Sequence, residues 1–369
     1  MTTLMQAHTQ WLSRPADERF LSLTALADFC TAQRCASVAK VVSSRSLTAV
    51  PMAGSVEGLQ LTGPNGAPVD LTHWSFGQLA QRAGAPAGYL RDLPNALTAD
   101  CLNWGLKHNR DVEEIGVLLT KMDADKPAVA RAVTGPNYGR VWNSNLANAL
   151  CRAFGDGVTG RYKVPGEFGV QGQPITAQST TLYASDRDMW VFLADESRSI
   201  EIKNRRGGRT GRMSHGFFVW NSDVGKTSLG FAEFLFDYMC GNHIVWGVSD
   251  YREIKMRHTS GAPDRYAEKI EPMLMDIANA SADLTPAARA IEFAQKRKID
   301  NVEKFLTERF SKSEAKAIEA AHLADEERPI ETVWDAVTGA TAYARGIAHT
   351  DTRVALEREA GKLLTLVAA

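Results

Sequence analysis

The chain has 369 residues, of which 44% are hydrophobic and 23% charged, and this composition is typical of a globular protein with buried cores. With a formal net charge of −1, the chain cannot attract nucleic acid or membrane through its overall charge. Such binding would need a local cluster of cations. The five cysteines are scattered and form no paired C-x-x-C motif, which predicts reduced thiols. Because no apolar run is long enough to span a bilayer and the first residues lack a signal-peptide pattern, we expect a cytoplasmic protein.

The first predicted region, residues 1–126, mixes helices and strands. The stretch "RFLSLTALADFCTAQ" has the spacing of an amphipathic helix, and a strand-like passage with a Pro-Asn-Gly turn follows it. The segment "FGQLAQRAGAPAGYLRDL" has the spacing of a helix-turn-helix. Its second helix would carry only Arg91 as a cation, so ordinary helix packing is favoured over reading of the major groove.

The second predicted region, residues 127–265, contains several short strands separated by turn residues. The third, residues 266–369, is helical, and Ser311 and Ser313 with Glu314 are predicted to cap one of its helices. The strands are "GRYKVPG", "STTLYAS", "MWVFLAD", "SIEIKN" and "HGFFVWN", and their short connections favour an antiparallel sheet. After them, "SLGFAEFLFDYMC" is predicted to form a helix that packs on the sheet. We therefore expect an α+β fold, in which a central antiparallel sheet with packed helices precedes a helical C-terminal region.

The stretch "KNRRGGRTGR" concentrates cations without a single acidic residue. Gly207 and Gly208 predict the tip of a hairpin between two strands of the sheet. A basic finger of this kind would neutralise several phosphates of a nucleic-acid backbone. The candidate contacts are Lys203, Arg205, Arg206, Arg209 and Arg212.

Just downstream, "WNSDVGKTSLG" ends in the Gly-Lys-Thr of a phosphate-binding loop. In a Walker A loop Trp220 would have to be glycine, and Asp223 would place a carboxylate where the phosphate binds. We therefore interpret the stretch as a turn that follows a strand, directs Lys226 outward and starts a helix. No nucleotide cofactor is expected.

Two further groups of residues complete the candidate sites. Lys255, Arg257 and His258 either extend the basic surface or form a polar connector. The aromatic residues of the strands suggest that one or two rings are exposed and stack on bases beside the cations. An alternative site, a metal centre of a nuclease or nucleotide hydrolase, would use Asp186, Asp188, His215 and His243, but no fixed metal-binding motif is present.

Several blocks of the chain resemble a family of phage- and plasmid-borne proteins, catalogued only as a domain of unknown function. The blocks include "YGRVWNSNLANAL", "GFFVWNSDVGKTSLG" and "FLFDYMCGNHIVWG". The resemblance implies carriage on mobile elements and no established activity. The order of elements in residues 127–265 also resembles the core of single-strand annealing recombinases, which form rings or filaments and bind DNA without ATP or metal. This resemblance implies that the five cations of the basic finger contact the DNA backbone and that Lys226 lies near the DNA-binding groove.

We therefore expect a non-enzymatic, oligomeric single-stranded DNA-binding protein that acts in annealing or recombination. The expected partners are single-stranded DNA and further copies of the chain, with no membrane and no metal. Two alternatives stay open: the nuclease or hydrolase described above, and an interaction protein that modulates a host defence system.

Overall fold

The structure is a computed structural model, and it describes residues 18–52, 58–63, 66–164, 175–177, 180–195, 197, 199–237, 242–244, 253–279, 283–347 and 350–368. The protein has an α+β fold with two sheets and a helical C-terminal region, which confirms the predicted class. Along the chain, β1 (Arg19–Phe20) and α1 (Leu23–Cys35) come first, but both pack with the second sheet.

The first sheet has six strands in the order β2-β6-β7-β5-β4-β3 and is antiparallel except for the pair β5–β7. Its buried face packs against three helices around Leu61, Leu79, Leu102 and Ile115. The elements are β2 (Ser37–Ser43), β3 (Thr48–Pro51), β4 (Leu59–Thr62), β5 (Pro68–Leu71), α2 (His73–Arg82), α3 (Ala87–Asp92), α4 (Asn95–His108), β6 (Glu114–Thr120) and β7 (Ala128–Thr134).

The second sheet is antiparallel throughout its described pairs and contains the five predicted strands. It follows α5 (Asn143–Phe154), and its long strands run through the middle in the order β10-β12-β13. Its elements, with β1, are β8 (Tyr162–Lys163), β9 (Leu182–Ala184), β10 (Met189–Asp195), β11 (Ile200–Arg205), β12 (Arg209–Asn221), β13 (Leu229–Asp237), β14 (Asn242–Ile244) and β15 (Glu253–Met256).

The helix predicted for "SLGFAEFLFDYMC" is wrong, because the described part of this stretch is the strand β13. Phe231 packs into the core that α1 and α5 cover, whereas Phe234 and Phe236 lie on the opposite face of the sheet. A strand buried on both faces is apolar almost throughout, so its sequence does not alternate and is easily mistaken for a helix.

The expectation of exposed aromatic rings on this sheet is also wrong for its central strands. Trp190, Phe192, Phe218 and Trp220 are all at most 5% exposed. They stack on one another across neighbouring strands, for example with 5.2 Å between the ring centroids of Phe192 and Phe218. Burial of these rings stabilises the sheet and leaves none of the four accessible to a base.

The remaining helices divide between the second sheet and a separate bundle. They are α6 (Ala262–Arg265), α7 (Glu271–Asn279), α8 (Thr285–Lys296), α9 (Val302–Thr307), α10 (Lys312–Glu326), α11 (Val333–Arg345) and α12 (Thr350–Ala368). Helix α7 packs on the second sheet, whereas α8 to α12 surround Trp334 and cover the end of the β11–β12 hairpin. The predicted cap at Ser311 is confirmed as a capping box with Glu314. Among the described helices, none combines the length and apolar character needed to cross a bilayer.

The observed layers do not follow the boundaries predicted at residues 126 and 265. Strand β7 lies beyond residue 126 but completes the first sheet between β6 and β5. Helix α7 lies beyond residue 265 but belongs to the core of the second sheet. Residues distant in the chain therefore determine to which sheet β7 and α7 belong.

Candidate nucleic-acid interface

The β11–β12 hairpin is present, but it packs against the C-terminal helices instead of projecting as a free finger. Arg205 is 1% exposed and lies 5.9 Å above the ring of Trp334. Its Nη1 donates to Asp237 Oδ2 at 2.5 Å and its Nε donates to Glu326 Oε1 at 2.7 Å. A buried guanidinium held by two carboxylates is inaccessible to DNA. The prediction that Arg205 contacts phosphate is therefore wrong.

The stretch "KNRRGGRTGR" contains no acidic residue, but acidic side chains from other parts of the chain lie beside it in the fold. Arg206 forms an exposed ion pair with Glu327 at 2.5 Å. Arg212 stands opposite Glu201 in the strand register, and its Nε donates to Ser199 Oγ. Lys296 lowers the pKa of Glu292 through a side-chain hydrogen bond, and Lys203 of the hairpin adds a smaller electrostatic contribution. Arg209 is exposed, and no carboxylate pairs with it among the described residues.

The stretch "WNSDVGKTSLG" is the turn that joins β12 to β13, and it connects the two sheets. Val224 is fully buried against Leu118 and Ala132 of the first sheet. Its carbonyl oxygen accepts from Trp74 Nε1 at 3.2 Å and from Gln78 Nε2 at 2.8 Å. Because a strand follows, no helix N-terminus faces a ligand here, and the Walker A interpretation fails for a second reason.

The carboxylate of Asp223 serves the same junction. It lies 3.0 Å from Arg131 Nη2 of β7, and both side chains are almost completely buried. Its backbone oxygen accepts from Arg140, whose guanidinium lies over the rings of Tyr138 and Trp142. Burial is the main reason that the pKa of Arg140 lies below its ordinary range. Asp223 is thus directed into the interface between the sheets and does not face solvent.

The downstream cations lie at the same end of the sheet as this turn. Lys255 pairs with Gly230 in the register of β13 and β15, and both Lys255 and Arg257 are exposed. His258 is half-buried, with Nδ1 3.2 Å from the carbonyl oxygen of Gly139. Burial lowers the pKa of His258, so this residue is neutral at neutral pH and adds no positive charge.

The predicted basic surface is therefore split into two. The hairpin is at the start of β12, and Lys226 follows the end of that strand. At about 3.3 Å per residue, the two groups of cations are separated by roughly 40 Å along the strand. In the hairpin group, Arg205 and Arg206 form ion pairs with carboxylates, whereas the second group lies at the end of the sheet where the β12–β13 turn is located.

A cavity of about 520 Å³ opens at this junction. One face of α2 lines it, together with α3, the end of β7, Tyr138 and Gly225 of the turn. The lining contains two arginines and two large aromatic rings, and none of its described members is acidic. Its residues are His73, Trp74, Gly77, Gln78, Gln81, Arg82, Ala87, Arg91, Val133, Thr134, Gly135, Tyr138 and Gly225.

The polar tips of both rings are held by the turn. Trp74 Nε1 donates to Val224, and Tyr138 Oη donates to the carbonyl oxygen of Ser222 at 2.9 Å. The ammonium of Lys226 lies 5.8 Å from the Trp74 ring centroid, so Lys226 is at the rim of the cavity. Rings with fixed tips keep their orientation without a ligand, which lowers the entropic cost of stacking a planar group.

Sequence reasoning missed this cavity as a site. The face of α2 opposite its buried residues carries polar groups at the spacing of one helical stripe, and this signal was visible around Gln78 and Arg82. What was not visible is the packing of that stripe against a turn about 150 residues later in the chain.

The described members of the alternative metal site do not come together. Asp188 accepts from Ser185 and Trp190 in the turn before β10, and His215 faces Glu233 at 3.5 Å near the middle of β12. Asp186 pairs with Arg187. The side chain of His243 lies outside the described residues. In the part of the chain that the structure describes, no group of three His, Cys, Asp or Glu side chains is arranged to hold a metal ion.

Comparisons with protein-family models, curated proteins and solved structures give no match to this chain. The resemblance to the phage- and plasmid-borne family and to annealing recombinases therefore stays a prediction.

Proposed function

We propose that this protein binds single-stranded nucleic acid at the junction between its two sheets and acts in strand annealing. The observation that carries the proposal is the cavity in which Arg82 and Arg91 lie with the rings of Trp74 and Tyr138 and in which none of the described lining residues is acidic. Cations for the backbone and rings for the bases are the two components of sequence-tolerant single-strand binding.

The surroundings of the cavity support the same function. Lys226 is at its rim, and Lys255 and Arg257 are exposed at the same end of the second sheet. A strand that leaves the cavity would therefore meet further cations. The near-zero net charge is compatible with this function, because binding depends on the local field and not on the total charge.

Fluorescence anisotropy with a labelled oligothymidine, measured over a series of salt concentrations, tests the proposal. We expect Arg82→Ala and Lys226→Ala to weaken binding and to lower the slope of log affinity against log salt by about one for each cation removed. Arg209→Ala is the matched control, since it removes an exposed cation at the distant hairpin. If Arg209→Ala weakens binding and the cavity variants do not, the interface is the hairpin and the cavity assignment is wrong.

Two further measurements address annealing and assembly. Quenching between complementary labelled strands reports annealing, which we expect Arg82→Ala to slow. Sedimentation velocity reports whether the protein forms the oligomer expected for an annealing protein. Unaltered annealing rates with and without the protein would contradict the annealing part of the proposal, even if binding is observed.

A further inference from the structure

The cavity at the junction has the dimensions of a site for one small molecule, not those of a groove for a long strand. Its volume of about 520 Å³ lies within the ordinary range of small-ligand pockets. Trp74 and Tyr138 supply planar surfaces on which a single base can stack. One nucleotide is therefore the unit that matches the space.

The charge of the lining matches a phosphate with two negative charges. Arg82 and Arg91 both line the cavity, Lys226 is at its rim, and none of the described lining residues is a carboxylate. An internal phosphodiester carries one negative charge, whereas a terminal phosphate carries close to two at neutral pH. Guanidinium groups bind phosphate oxygens through two parallel hydrogen bonds, so two arginines suit a phosphate group with several free oxygens.

The Arg91 guanidinium is held in place by contacts within the protein. Its Nη2 donates to the carbonyl oxygen of His73 at 3.1 Å, and its plane lies over Phe76 at 5.2 Å. Its Nε is buried without a hydrogen-bond partner among the described residues. The hydrogen bond to His73 and the contact with Phe76 therefore fix the orientation of this guanidinium without a ligand.

Two glycines lie directly beside the guanidinium groups of Arg82 and Arg91. A Cβ on Gly77 would lie 3.3 Å from Arg91 Nη2, and a Cβ on Gly135 would lie 3.5 Å from Arg82 Nη2. Side chains at these two positions would occupy the space beside the cations. The space next to each arginine therefore depends on the absence of a side chain at Gly77 and Gly135.

From this geometry we infer that the cavity binds a nucleotide that bears a phosphomonoester, with Arg82 and Arg91 on the phosphate and a base stacked on Trp74 or Tyr138. This inference rests on the proposed function and sharpens it: the protein recognises the phosphorylated end of a strand. The same chemistry is also present in a free nucleoside monophosphate, so the experiment must distinguish the two sources.

The test compares one oligothymidine, labelled internally, in three forms: with a 5′ phosphate, with a 3′ phosphate and with hydroxyl groups at both ends. We expect one phosphorylated form to bind at least about tenfold more tightly than the hydroxyl form, which corresponds to about 1.4 kcal/mol. Arg82→Gln should abolish that preference and Arg209→Gln should retain it. Arg82→Lys keeps the charge but loses the two parallel hydrogen-bond donors of the guanidinium, so it should retain only part of the preference. Circular dichroism should show that all variants are folded.

Thymidine monophosphate and inorganic phosphate serve as competitors and identify the source of the ligand. If all three oligonucleotides bind equally, the inference is overturned and the proposed function stands. If thymidine monophosphate binds in an Arg82-dependent manner but no oligonucleotide does, the proposed function fails and the free nucleotide is the ligand. If inorganic phosphate competes as well as the nucleotide, or if nothing binds, recognition of a nucleotide is refuted.

Discussion

Replacing Arg205 with alanine removes the cation that Asp237 and Glu326 share in a fully buried position. Breaking a buried ion pair in this way costs about 3–5 kcal/mol, because the remaining carboxylates stay buried without their counter-charge. We expect a loss of this size in the free energy of unfolding, measured by urea denaturation followed by circular dichroism. The loss should be located where the hairpin meets the helical bundle, since Arg205 also packs over Trp334.

The neighbouring Arg206 provides a matched control. Its pair with Glu327 is more than half exposed on both sides, and exposed pairs contribute about 0–1 kcal/mol. Arg206→Ala should therefore shift the unfolding midpoint little. Replacing Arg205, Asp237 and Glu326 together by Met, Asn and Gln should recover much of the stability, because no charge is left buried. Equal midpoints for Arg205→Ala and Arg206→Ala would refute this reasoning.

This prediction bears on how DNA binding is tested. A variant that removes Arg205, Arg206 and Arg209 together would lose binding if it partly unfolds, whether or not the hairpin contacts DNA. Arg209→Ala is the cleaner probe, because no carboxylate pairs with this exposed residue in the described part of the chain.

Two further predictions concern pH and the turn. Burial lowers the pKa of His322 below its ordinary value of 6.5, so the unfolded chain takes up a proton that the folded chain does not. The free energy of unfolding should therefore decrease as the pH falls below about 6.5. Urea unfolding at neutral and at mildly acidic pH should show a smaller decrease for His322→Gln than for the unchanged protein. An identical decrease in both proteins would assign the effect to other groups, such as His258, whose pKa is also lowered. Gly225 has φ of +84°, so Gly225→Ala should cost about 1–2 kcal/mol of stability. The same variant should weaken oligonucleotide binding, because the new Cβ would lie 3.4 Å from the Tyr138 ring. Gly207→Ala has comparable strain at φ of +62° but an open surrounding, so it should leave binding unchanged; equal binding by the two variants would contradict a role of the turn in shaping the cavity.

Local patterns in the sequence were sufficient for the fold class and for many elements. The turn residues between short β-rich segments predicted β8 to β12, and the Ser311 and Glu314 pair predicted a helix start that the structure confirms. These features depend on neighbours in the chain, because strand alternation, turn chemistry and helix caps are local properties.

Tertiary packing decided the features that matter for the candidate site. The segment β13 is a strand because it pairs with β12 inside the second sheet. Both of its faces are buried there, one under α1 and α5 and the other among stacked rings. Arg205 looked like part of a basic finger until Asp237 and Glu326, distant in the chain, were placed beside it.

The cavity likewise exists only where α2, β7 and the β12–β13 turn meet. The sequence by itself determined which segments are apolar, where turns fall and where cations are concentrated. Only the tertiary structure decided which of those cations are neutralised by acids and which face a cavity, because ion pairing and burial depend on residues brought together from distant parts of the chain.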